Sequence, residues 1–327
     1  MVQCTRWEET RHMAMQQARW NARIGTPCEF VLLNAPPGPR NSAQGLQGGV
    51  DFLRVDPLAG DVHAQCLQLD GMLNRVQPSG QTPLVRRLRE IHTRISQEQE
   101  ALVCAGQRVL IVVVTDGLPT EPRAHFVEIL RRMAIELPVH LVIRLTTSED
   151  SVVEFYNRLD AELEFPLEVL DDLESEAREV AHKGNGWLTY SPLLHMLREQ
   201  GTFVKLFDLL DERCLAPTEV MVLACLMLQG QSEHEQPPRQ PEDFHRYACE
   251  RLRNLPLVYD PVARRMGPCI KEQALHRSLV PLSQRLAICC ARRRRGGSSP
   301  WGTVKLGLRE ALESVVAPLL DLSTKEW

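Results

Sequence analysis

The chain has 327 residues, 43% of them hydrophobic, which is enough to bury a sizeable core in one large domain with appendages or in two modest ones. A formal charge of -4, with charged residues at 24%, gives no global reason to expect a nucleic-acid or membrane partner. The ten cysteines include no CxxC and no Cys/His spacing of the zinc type, so they argue against zinc and predict a reducing compartment.

Residues 1–25 are charged and amphipathic, without the apolar centre of a signal peptide, and no stretch reaches the ~18 to 20 apolar residues of a membrane span. Cytoplasm or nucleus is the expected location. Thr5-Arg6-Trp7-Glu8 reads as a capping box, and Trp7, Ala14, Ala18 and Ala22 follow on one helix face. Residues 28–33 (CEFVLL), between Gly25-Thr26-Pro27 and Pro36-Pro37, predict a strand. After a loop at 36–49, residues 50–55 suggest a second, weaker strand.

Gly80-Gln81-Thr82-Pro83 then leads into Leu84, Leu88, Ile91 and Ile95, whose spacing is that of a helix face. Residues 109–114 (VLIVVV) are apolar at every position and predict a central strand buried on both sides. Phe126, Ile129, Leu130 and Met133 mark a helix, 139–145 (VHLVIRL) a strand, Val152, Phe155, Tyr156 and Leu159 a helix, and 167–170 a short strand. Such alternation predicts right-handed crossovers and a mainly parallel sheet covered on both faces. The fold class expected is therefore α/β, a three-layer Rossmann-like domain over 1–183.

Ligands of such sheets bind outside the carboxyl ends of the strands, where Asp116 sits. There is no GxGxxG after a strand, no GxxxxGK[ST] loop and no GxSxG elbow, so nucleotide-binding and hydrolase versions have no supporting motif. A site of oxygen ligands remains.

Two segments, Gly80-Gln81-Thr82-Pro83-Leu84 opening a helix and Val112-Val113-Val114-Thr115-Asp116-Gly117 ending a strand, resemble two of the three loops of the metal-ion-dependent adhesion site in von Willebrand factor type A domains. The order of elements over a little over half the chain is also similar to that family. The resemblance implies a divalent cation, usually magnesium, at the top of the sheet, completed by an acidic residue from a protein partner. Thr82 would offer its hydroxyl to the ion, and Asp116 would bind it directly or through water. Magnesium suits such a place, being a hard ion that takes oxygen ligands in an octahedron and keeps displaceable waters.

The family's first loop, Asp-x-Ser-x-Ser at the end of a first strand, is not matched: only Met1-Val2-Gln3-Cys4 stand before the opening helix. Either a segment upstream supplies that strand, or the site is reduced and the fold persists as a scaffold. Without the resemblance, Thr82-Pro83 is also a helix N-cap followed by a first-turn proline, and Asp116-Gly117 is ordinary turn chemistry.

Residues 149–179 hold twelve carboxylates against Arg158 and Arg178, interleaved with apolar anchors, and read as a solvated outer face. His195 has no acid–base partner in the sequence and is expected at a surface or boundary. From 184 to 290 successive helical patches replace the alternation. Arg292-Arg293-Arg294-Arg295 and the Gly/Ser residues after them read as a basic flexible linker over 291–300, and 301–327 as an amphipathic helix. Cys289-Cys290 has no nearby base.

The leading expectation is a non-enzymatic protein-interaction module. The alternatives are a magnesium-dependent hydrolase or transferase using Asp116, and a structural remnant that binds neither metal nor ligand.

Overall fold

Thr5 caps the first helix, α1 (Arg6–Arg23), with both halves of the capping box formed. Its hydroxyl accepts from Glu8 N at 3.2 Å, and the Glu8 carboxylate accepts from Thr5 N at 2.7 Å. These bonds hold the Glu8 carboxyl below its ordinary range. The helix gives way at Gly25, whose φ of 75° lies in the left-handed region that favours glycine. The computed structural model describes residues 5–34, 47–163, 165, 167–201, 204–228 and 237–280. The readings of 291–300, of 301–327 and of Cys289-Cys290 lie outside these residues.

By its internal contacts the chain divides into two units, Met1–Asp172 with Glu199–Gly201, and Leu173–Arg198 with Thr202–Trp327. In the first unit, Ala18 of α1 packs with β1 (Cys28–Val31), β2 (Phe52–Val55) and α2 (Val62–Arg75) around Val55, Leu69, Met72 and Leu73. The α2 helix was not anticipated, although Val62, Cys66, Leu69 and Leu73 have helical spacing. Asp61 caps it, accepting from His63 N at 2.9 Å. β1 and β2 pair antiparallel, Cys28 opposite Val55 and Val31 opposite Phe52.

Further along come α3 (Leu84–Cys104), β3 (Val109–Thr115), α4 (Arg123–Glu136), β4 (Val139–Leu145), α5 (Asp150–Glu162) and β5 (Leu167–Leu170). The three strands form a parallel sheet in the order β3-β4-β5, in register from Val109 opposite Val139 to Thr115 opposite Leu145. The fold is α/β, as expected, but among the described residues β3 is an edge strand and not the central one. Among the described residues it pairs only with β4, and β4 carries the buried run from Leu141 to Leu145. Only Ile111, Val113 and Thr115 of β3 are buried, and Leu110, Val112 and Val114 are half-buried, so apolarity at every position did not mean full burial on both sides and said nothing of the edges. Val109 N bonds to Pro138 O and Thr115 O accepts from Thr146 N, so the odd-numbered residues direct their backbone groups to β4. Leu110, Val112 and Val114 direct theirs to the edge that no described strand pairs with.

One face of the sheet, with Ile111, Val113, Leu141, Ile143 and Leu145, is covered by α3, α4 and α5 through Leu84, Leu88, Phe126, Ile129, Leu130, Met133, Tyr156 and Leu159. On the other face of β4 lies Arg144, buried at 1% exposure. Its Nε donates to Glu199 Oε1 at 2.9 Å, Nη1 donates to the carbonyl oxygens of Leu145 and Asp171, and Nη2 reaches Glu9 at 3.4 Å. Gln17 donates to the second Glu199 oxygen at 2.9 Å.

The second unit is mostly helical: α6 (Leu173–Val180), α7 (Pro192–Glu199, whose last residue belongs to the first unit), α8 (Lys205–Glu212), α9 (Pro217–Leu228), α10 (Pro241–Leu252) and α11 (Glu272–Leu279). A hairpin of β6 (Val258–Asp260) and β7 (Arg265–Gly267) joins the last two. Asn185, fully buried, donates to Leu210 O and Arg213 O at 2.7 Å each and accepts from Leu215 N at 3.0 Å. One amide thus satisfies carbonyls at the end of α8 and fixes the approach to α9.

Two expectations are corrected in this unit. Glu176, read as part of a solvated acidic face, is 3% exposed and pairs with Arg198 at 2.7 Å. His195, read as a surface or boundary residue, is 4% exposed, with Nδ1 3.1 Å from the Tyr190 hydroxyl. The pattern of the sequence could not reveal either, because each depends on a partner from another helix or turn.

Candidate functional site

The carboxyl end of β3 turns at Thr115-Asp116-Gly117, and three hydrogen bonds hold that turn. Thr115 Oγ1 accepts from Gly117 N at 3.3 Å and donates to Gly117 O at 3.2 Å. The hydroxyl of Tyr156, on α5, donates to the same carbonyl at 3.0 Å. The Tyr156 side chain is fully buried, and burial pushes its phenol above the ordinary tyrosine range.

The loop before α3 lies against this turn. A β-carbon placed on Gly117 would stand 3.4 Å from Thr82 Oγ1. Thr82 O accepts from Thr120 N at 3.0 Å, and Thr82 N donates to Thr120 Oγ1 at 2.8 Å. Residues 82 and 116–117, 34 and 35 positions apart in the sequence, therefore meet as neighbours at one end of the sheet.

The helix-capping reading of Thr82 is corrected. Pro83 occupies the N-cap position of α3 and offers no side-chain bond. The cap comes from the β3–α4 loop, where Glu121 Oε1 accepts from Arg86 N at 3.0 Å. The other Glu121 oxygen is buried without a hydrogen-bond partner among the described residues. The Thr82 hydroxyl is thus not spent on the helix, and among the described residues it makes no hydrogen bond.

Asp116 is exposed, and its Oδ2 lies 3.4 Å from Nη1 of Arg6, the first residue of α1. Both side chains are about half exposed, 52% for Arg6 and 55% for Asp116. Leu118 beside them is 43% exposed, an apolar side chain left in solvent next to a charged pair. Neither Arg6 nor Glu121 was singled out in the sequence as part of a site. Arg6 was hidden inside the capping box, and a loop glutamate after a Thr has no distinguishing pattern.

As a magnesium site this set is sparse. Thr82 and Asp116 supply two oxygen groups, against the six ligands that magnesium takes, and the one carboxylate already faces a guanidinium. Among the described residues no group of three or more His, Cys, Asp or Glu side chains is arranged to hold a metal ion.

The second unit contains a buried polar cluster of a different kind. Arg198 donates to Glu176 at 2.7 Å, to Asp211 at 2.8 Å and to Tyr190 Oη at 3.4 Å. Burial raises the Tyr190 phenol above its ordinary range. These side chains satisfy one another in the interior, which suits a structural network.

No protein-family model, curated protein or solved structure matches the chain. No helix among the described residues is long and apolar enough to cross a membrane.

Proposed function

We propose that the chain is a non-enzymatic protein-interaction module of the von Willebrand factor A-like kind, a layered α/β domain that receives an acidic group of a protein partner at the carboxyl end of β3. The observation that carries this reading is the meeting of the Thr82 hydroxyl with the Asp116-Gly117 turn, where the hydroxyl is not spent on capping α3 and the Asp116 carboxylate is exposed beside Arg6. Tyr156 and Thr115 hold the turn rigidly from beneath, which is the support a recognition loop requires. Leu118 adds exposed apolar area for a partner to cover. Magnesium is the ion that the resemblance implies, and Thr82 and Asp116 are the residues that would hold it, with water and the partner's acid completing the shell.

The test is affinity capture with the full chain, comparing the intact protein with Thr82→Ala and Asp116→Ala, alongside calorimetric titration with magnesium. Partners lost in both variants support the reading. Partners retained in both would refute it, and heat on magnesium addition that vanishes in Asp116→Ala would assign the ion.

A further inference from the structure

Given the reading that the Thr82 and Asp116 loops receive an acidic group, we propose that the partner's carboxylate binds directly to the guanidinium of Arg6, without a divalent ion between them. An incoming acid needs positive charge, and the positive side chain set against Asp116 is Arg6, at 3.4 Å. That contact is single and long, so it engages one N–H of the five that a guanidinium carries. Arg6 is 52% exposed, so its remaining donors are open to a ligand among the described residues. A guanidinium presents paired N–H groups that match the two oxygens of a carboxylate, and bonds between two charged groups are about twice as strong as neutral ones.

The local structure prepares Arg6 for this role. The capping box between Thr5 and Glu8 fixes the backbone on either side of it, so the root of the side chain is held while its tip stays in solvent. Asp116 lies beside the tip. An exposed pair of this kind is weak, so the guanidinium can turn toward a second carboxylate at little cost. The pair is also electrically neutral. A partner's acid therefore meets no net repulsion from Asp116, which an unpaired aspartate would exert at close range. The Thr82 hydroxyl, adjoining the same turn, is a further donor within the recognition surface.

The experiment uses the 15N-labelled full chain and two small probes, N-acetyl-aspartate N-methylamide and its asparagine counterpart. The Arg6 Nε–H resonance, assigned by its loss in Arg6→Lys, is followed together with the backbone amides of residues 82 and 116–118, first with a chelator and then with magnesium. Because Arg6 is half exposed, Arg6→Ala and Arg6→Lys should keep the dispersed spectrum of the folded chain, which the same data report. The expected result is a saturable shift of Arg6 by the aspartate probe in the chelator, at least several-fold weaker with the asparagine probe. Asp116→Asn, which removes a competing carboxylate, should not abolish it, and magnesium should leave it unchanged. Saturable shifts at 82 and 116–118 that require magnesium and persist in Arg6→Ala would overturn direct binding while leaving the interaction reading intact. No response at Arg6 or at those amides, with or without magnesium, would overturn both.

Discussion

The hydroxyl of Tyr156 donates to the carbonyl of Gly117 at 3.0 Å, linking the core of α5 to the turn that carries Asp116. The ring stands edge-on to Phe126, with centroids 6.2 Å apart, and to Phe155, at 5.0 Å. Removing only the hydroxyl in Tyr156→Phe leaves Thr115 as the remaining donor to that carbonyl, so the expected cost is about 1 kcal/mol. Tyr156→Ala empties a fully buried site and should cost about 3–5 kcal/mol. Urea midpoints by circular dichroism separate the two, and similar losses would show that the hydrogen bond, rather than the ring, dominates.

Glu121 and Thr82 make a second discriminating pair. Glu121 accepts from Arg86 N at the start of α3, whereas no hydrogen bond of the Thr82 hydroxyl is present among the described residues. Loss of a capping acceptor costs roughly 1 kcal/mol, so Glu121→Ala should destabilise by about that much while Thr82→Ala stays within about 0.5 kcal/mol. Equal losses in thermal or urea melts would restore the capping role of Thr82.

Local patterns made much of the first unit legible. Residues 139–145 and 167–170 alternate with helical spacings that tertiary packing did not override, and both strands form where they were expected. The capping box also carried its own geometry. What could not be read was adjacency: which edge of β3 is open, which carboxylate caps α3, and which cation faces Asp116. Those depend on residues 35 to 110 positions away, such as Arg86 with Glu121 and Arg6 with Asp116. Glu176 and His195 were misplaced through nearer partners, Arg198 at 22 positions and Tyr190 at five, because a polar side chain cannot be told as buried until the group that satisfies it is known.

Arg144 and Glu199 form a pair in which both side chains are nearly inaccessible, at 2% and 5% exposure. Breaking such a pair leaves one buried charge uncompensated, which typically costs about 3–5 kcal/mol, whereas replacing both by apolar residues of similar volume is often close to neutral. Arg144→Met should therefore cause a marked loss of hydrogen-exchange protection in the β4 amides. The double variant Arg144→Met/Glu199→Leu should regain most of it. A double variant as weak as the single one would mean that the ion pair is itself required.

The open edge of β3 is tested with proline. Val112 directs its N–H away from β4, while Val113 directs its N–H toward it. A proline on the free side removes no ladder bond, and one on the paired side removes a bond inside the sheet. Val112→Pro should cost about 1–2 kcal/mol and Val113→Pro about 3 kcal/mol or more. Comparable, large losses for both would indicate that a further strand pairs with β3.

The cysteines predict the alkaline behaviour. Burial pushes the thiols of Cys28 and Cys225 up to about 12 and that of Cys269 up to about 11. An unfolded chain ionises its thiols near pH ~8.5, so above that value it loses protons that the folded chain retains. The sign follows: the stability associated with these groups is complete below about pH 8.5 and falls as pH rises toward their folded values. For the well-buried Cys225 the slope is at most about 1.4 kcal/mol per pH unit within that window. The melting temperature should therefore decline steadily from pH 8.5 to 11, and Cys225→Ala should flatten the decline even though it lowers stability at neutral pH. A thiol reagent at pH 8 should modify the exposed Cys104 and Cys214 first and reach Cys225 only at the unfolding rate. Rapid labelling of Cys225 in the folded chain, or a melting temperature flat across this range, would contradict its protected state.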